Sequence, residues 1–138
     1  MHTEAASLTR PPITLIDNEA ESLYDLALAA RGKSKQAAEL LLQEVDRADT
    51  FAREDLPADV VTMMSSVVFV DESTGEEHKV QLVWPKDADS ANDRISVLTP
   101  IGAALIGMPR GASIDWPNRS GELRRLRIID VIQPAAAA

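Results

Sequence analysis

Apolar residues return every three or four positions along two stretches near the start of the chain, and the rhythm then shortens toward every second residue. In the first stretch Leu23, Leu26, Ala27 and Ala30 form one helical stripe. Asp17 or Asn18 is positioned to cap it, and Glu19 and Glu21 place negative charge at the positive end of the helix dipole. That helix is expected to run to about Arg31, with Gly32 just past its end. Ser34 can cap a second helix whose stripe is Ala38, Leu41, Leu42, Val45, Ala48 and Ala52. Two striped helices joined by a short polar turn predict a short antiparallel helical hairpin over residues 13–54, entered through the extended segment Ile13–Ile16. At 1.5 Å per residue its arms would reach only about 20–27 Å.

Glu54-Asp55-Leu56-Pro57-Ala58 interrupts the helical pattern and reads as a linker. Beyond it, Val60–Val70 is rich in β-branched residues and Glu77–Trp84 alternates, with Asp71–Gly75 as the turn between two strands. Pro85–Asp93 is a polar, acidic loop, Arg94–Leu98 a third strand, and Pro100 suits the first turn of a short helix through Leu105 that Gly107 ends. Ala112–Trp116 and Leu123–Ile132 complete the strands around a turn at Pro117–Gly121. The expected class is α+β: a hairpin followed by a β-rich domain with one short helix over residues 55–134. Residues 1–12 read as a disordered leader and 135–138 as an uninformative alanine tail.

Composition removes several chemistries. No cysteine is present, which excludes disulfides, thiolate metal sites and cysteine nucleophiles. No apolar run approaches the roughly 20 residues that span a bilayer, so no membrane association is expected and the cytoplasm is the expected location. A net charge of −8 disfavours autonomous binding to duplex nucleic acid, which depends on lysine and arginine at phosphates, and favours a protein partner with a basic or mixed surface. His2 and His78 stand apart from any nucleophile or second ligand and read as solvated; no catalytic residue, metal or cofactor is expected. Gly102, Gly107 and Gly111 are spaced too widely for a phosphate loop. Asp87 and Asp89 read as solvated loop acids, and Trp84 and Trp116 as core residues at strand ends.

The run Ile95-Ser96-Val97-Leu98-Thr99-Pro100-Ile101-Gly102-Ala103-Ala104-Leu105-Ile106-Gly107 resembles the C-terminal domain of the Gre transcript-cleavage factors, with its strand, Ser-Pro-Leu-Gly turn and Ala-Leu-x-Gly helix. Gly111, Trp116, Pro117 and the terminal strand Ile128–Ile132 follow in the same order. Glu44–Ala48, Pro57–Met63 and Ser66–Phe69 are similar to the regulators of nucleoside diphosphate kinase within that superfamily, so the resemblance covers residues 13–133. It implies an FKBP-like fold for the β-rich domain. It also implies a non-catalytic transcription regulator that binds RNA polymerase near the secondary channel and has an effect on nucleoside diphosphate kinase levels.

In Gre factors the Ser-Pro turn contacts a coiled coil at the channel rim, which by position implicates Leu98, Thr99, Pro100, Ile101 and Gly102 in partner binding. Thr99 stands where serine is usual, and Ala112 where an aspartate commonly follows the glycine. The cleavage factors carry carboxylates at the hairpin tip to hold a metal ion; here the tip is Arg31-Gly32-Lys33-Ser34-Lys35, which would repel one. Arg31, Lys33 and Lys35 therefore predict competition with Gre factors without stimulated cleavage. Contact with DNA or RNA is expected only inside the polymerase complex, and the protein is expected to be a monomer. Two other readings remain open: an FKBP-like prolyl isomerase, which needs an aromatic-lined pocket that 4% aromatic residues barely supply, and association through the hairpin stripe.

Overall fold

A computed structural model describes residues 11–117 and 120–134; the leader through Arg10 with His2, the turn residues Asn118 and Arg119, and the tail from 135 lie outside the described residues. Strand β1 (Thr14–Ile16) leads directly into α1 (Asp17–Ala30), and after the turn at 31–34 α2 (Lys35–Arg47) returns to β2 (Asp49–Phe51). Parallel pairing of Thr14–Ile16 with Asp49–Phe51 brings the start of α1 and the end of α2 to one place. The chain therefore goes out along one helix and comes back along the other. Leu23 and Ala27 of α1 and Ala38 and Leu41 of α2 are fully buried, the stripe residues that the periodicity singled out.

Several boundaries differ from the sequence expectation. Ile16, not Asp17 or Asn18, is the residue before the first helical turn, and neither it nor Ser34 makes a side-chain cap hydrogen bond. The second helix stops at Arg47, short of Ala52, because Ala48 is extended and Asp49 N–H donates to Ile13 O at 3.1 Å. A strand partner thus captures residues whose spacing suits a helix. The β-branched run at Val60 does not enter the sheet at once either: Met64 has φ +68°, and Thr62 and Ser65, both buried, bond to each other before β3 (Ser66–Asp71) begins. Residues 53–55, 85–87 and 90–92, expected as linker and loop, each form a 3₁₀ turn.

The main sheet contains β3, β4 (Glu76–Val83), β5 (Arg94–Ser96), β6 (Ser113–Pro117) and β7 (Leu123–Ile132), in the order β5-β4-β3-β7-β6. Three of its four pairings are antiparallel; β4 and β5 are parallel because the segment at 84–93 crosses back instead of turning tightly. Phe69, Val80, Leu82, Ile114, Trp116, Leu126 and Ile128 of the sheet, Ala103, Ala104 and Leu105 of α3 (Pro100–Leu105), and Leu23, Ala27 and Leu41 of the helical pair form one continuous core. The result is a mixed α+β fold of three helices and a curled sheet. The helix carrying the 98–102 turn packs on α2 as well as on the sheet side.

Buried and half-buried charges fasten the helical pair to the rest. Glu44, fully buried on α2, accepts from Arg47 Nη2 at 2.7 Å and Nε at 3.0 Å, and Arg47 Nη1 also donates to Pro11 O at 2.6 Å. Glu19 in the first turn of α1 accepts from Met63 N–H at 3.2 Å and pairs with Arg53 at 3.4 Å. Burial raises the Glu19 carboxyl above its ordinary value of 4.5, against the lowering effect of the Met63 N–H and of Arg53.

Candidate docking surface

The segment Leu98–Gly102 is a rigid corner at the start of α3. Thr99 occupies the cap position: its Oγ1 accepts from Gly102 N–H at 3.0 Å and donates to Ser96 O at 2.8 Å, while Leu98 N–H donates to Ser96 Oγ at 3.0 Å. Pro100 fills the first helical turn, where no backbone donor is missed, and is buried. Gly102 is buried against β5; an added Cβ would strike Ser96 O and lie 2.8 Å from Val97 Cα. From Pro100 to Met108 every residue is buried except Ile101, which is 36% exposed. The corner thus presents one apolar side chain on a fixed backbone.

Ile101 borders two hollows. A groove of about 650 Å³ lies on one side, walled by Ile95, Thr99 and Pro100 and by Ala88, Asp89 and Arg94. On the other side a recess of about 180 Å³ is lined by Phe69, His78, Trp116, Pro117 and Leu126, with Asp71 and Arg124 paired at 3.8 Å. His78 corrects the sequence expectation in part. It is exposed, but its ring stacks on Phe69 across the β3–β4 pair with centroids 5.2 Å apart, so it is a wall of the recess and not merely solvated. Trp116 is buried in the core and Trp84 is half-buried against it.

The basic residues Arg31, Lys33 and Lys35 sit together at the far end of the helical pair, all exposed. None of them lines the groove or the recess beside Ile101, so they belong to neither hollow. Tyr24 and Leu28, one turn apart on the outer face of α1, are also exposed, a feature hidden in the sequence because both sit among stripe residues. Asp87 and Asp89 are half-buried, and Asp89 Oδ2 accepts from Asn92 at 2.7 Å, so this acid caps its own loop. Among the described residues no three His, Asp or Glu side chains converge as a metal site, and no helix is long and apolar enough to cross a membrane.

The profile of the transcription elongation factor GreA/GreB C-terminal region matches residues 56–133, which contain the whole main sheet, α3 and the Thr99 corner. The chain belongs to the GreA/GreB family. Similarity to single relatives extends over the helical pair: the regulator of nucleoside diphosphate kinase from Escherichia coli K12 is 37% identical over 131 residues, covering 94% of this chain and 96% of that protein. Transcription elongation factor GreA of Mesorhizobium japonicum is 34% identical over 130 residues, covering 88% of this chain and 82% of its own. Among solved structures, a GreA/GreB elongation factor from Nitrosomonas europaea superposes with a TM-score of 0.69 at 37% identity, covering 90% of this chain and all of that one. This GreA/GreB-family chain is a transcription-elongation-factor-like regulator.

Proposed function

We propose that the protein binds RNA polymerase near the secondary channel through Leu98–Gly102 and competes there with Gre factors without stimulating transcript cleavage. The observation that carries this reading is the Thr99-capped corner, which holds Ile101 outward between two hollows while its neighbours are buried. Apolar anchors on preorganised backbone are the usual centres of protein interfaces. The helical pair supplies the negative half of the proposal. Its arms of 14 and 13 residues span roughly 20 Å, and Arg31, Lys33 and Lys35 offer a divalent ion no ligand. The protein acts in this reading as a cytoplasmic monomer that meets DNA or RNA only within the complex, with an influence on nucleoside diphosphate kinase levels.

Competition between this protein and a Gre factor for purified bacterial polymerase, scored for both binding and transcript cleavage, tests it. Displacement of the Gre factor with loss of cleavage is expected; failure to bind polymerase would overturn it. Prolyl isomerase action by an FKBP-like domain is the alternative with an observation in its favour, the aromatic recess of Phe69, His78 and Trp116. At about 180 Å³ that recess is smaller than usual ligand sites, which run about 300–1,000 Å³, and this favours docking. A peptide isomerisation assay separates the two.

A further inference from the structure

Arginines on the main sheet and at the base of the helical pair are neutralised within the fold: Arg47, Arg53, Arg110, Arg124, Arg125 and Arg127 each have a carboxylate within 3.9 Å. Arg94 differs. It is exposed in the wall of the larger groove, and its guanidinium has no ion pair among the described residues. Its backbone, by contrast, is held on both sides. Arg94 N–H donates to Asp89 O at 2.9 Å, Asp89 N–H donates to Arg94 O at 3.0 Å, and the strand it opens pairs with Gln81–Val83. The groove wall also holds Asp89, whose Oδ2 accepts from Asn92 and whose carboxylate is not ion-paired with Arg94. A cation on a fixed strand therefore stands beside the apolar surface of Ile95, Pro100 and Ile101 in a hollow large enough for several side chains.

We infer that this groove recognises a protein segment carrying a carboxylate next to an apolar side chain, with Arg94 pairing the carboxylate and Ile95, Pro100 and Ile101 taking the apolar group. The inference rests on the docking reading above and names its specificity. A guanidinium is suited to this task because its planar fork meets a carboxylate through two parallel hydrogen bonds. Half-enclosure by apolar walls lowers the local dielectric, so the pair is worth more here than on open surface. With a net charge of −8 on the chain and Asp89 in the same wall, the attraction is local: the carboxylate must seat directly on the Arg94 guanidinium.

Equilibrium titration of bacterial core RNA polymerase with the full-length protein and its variants at two salt concentrations decides the matter. Arg94→Gln is expected to weaken binding by about tenfold and to flatten its salt dependence, and Arg94→Glu to weaken it further, with circular dichroism unchanged because the side chain is exposed. Ile101→Asp tests the underlying surface. If Ile101→Asp abolishes binding while Arg94→Gln and Arg94→Glu bind as the parent does, the docking surface stands and the role of Arg94 is overturned. If Ile101→Asp, folded, also binds as the parent does, the docking reading itself fails and the proposal with it.

Discussion

The Thr99 hydroxyl and the Gly102 amide lie 3.0 Å apart, and this hydrogen bond closes the first turn of the helix that presents Ile101. Because the same hydroxyl donates to Ser96 O, one oxygen fastens α3 to β5. Thr99→Ala is expected to cost about 1 kcal/mol in stability, read as a lower denaturation midpoint. Thr99→Ser preserves both bonds and is expected to leave stability and polymerase binding unchanged.

Gly102 tests how tightly the corner is built. The space a Cβ would need is filled by backbone of Ser96, the last residue of β5, and of Val97, whose N–H is bonded to Val83 O, and neither can rotate aside. Gly102→Ala should destabilise by about 2–3 kcal/mol, as overpacking of a rigid site does, and displace Ile101. Urea unfolding with a polymerase-binding assay would show both losses.

The Glu44–Arg47 pair predicts an asymmetric result. Arg47→Met leaves a buried carboxylate without its guanidinium and should cost roughly 2–4 kcal/mol, whereas Glu44→Leu combined with Arg47→Met should recover much of that loss. A double-mutant cycle by thermal or urea denaturation measures the difference.

Glu19 carries a pH signature. Its carboxyl titrates higher in the folded state than the ordinary 4.5, so between those two values the native protein binds more protons than the unfolded chain. The stabilising contribution of the protonated form is therefore full below about pH 4.5 and lost as pH rises through the folded value. Glu19→Gln removes this dependence while its amide oxygen can still accept from Met63 N–H. The variant should show a flatter stability profile above pH 4.5 than the parent, measured by denaturation across that range.

What could be read from the residues divides along physical lines. The stripe of Leu23, Ala27, Ala38 and Leu41, the bounds of β7 and the helix at Pro100 follow from local periodicity and proline placement, and the structure contains all of them. The resemblance carried by Ile95–Gly107 led to the family that the profile match shows. Pairings between distant segments escaped. Nothing local to Asp49–Phe51 announces a strand, since its partner lies 35 residues earlier at Thr14 and the segment is exposed on every side chain. The parallel β4–β5 crossover and the stacking of His78 on Phe69 are hidden for the same reason. A lone arginine opening a strand is ordinary in a sequence; only the neutralised state of the other arginines on the main sheet sets Arg94 apart.

The parallel β1–β2 pair has a consequence for how such proteins diversify. The first helix begins and the second ends at that small clasp, which Thr14 N–H ties to Gly107 O at the far end of α3. Adding seven residues to each arm would carry the tip about 10 Å outward along the same line while leaving every bond at the base in place. Arm length is thus an independent dial: selection can set how deep a probe reaches, and what charge it carries there, without renegotiating where the protein sits.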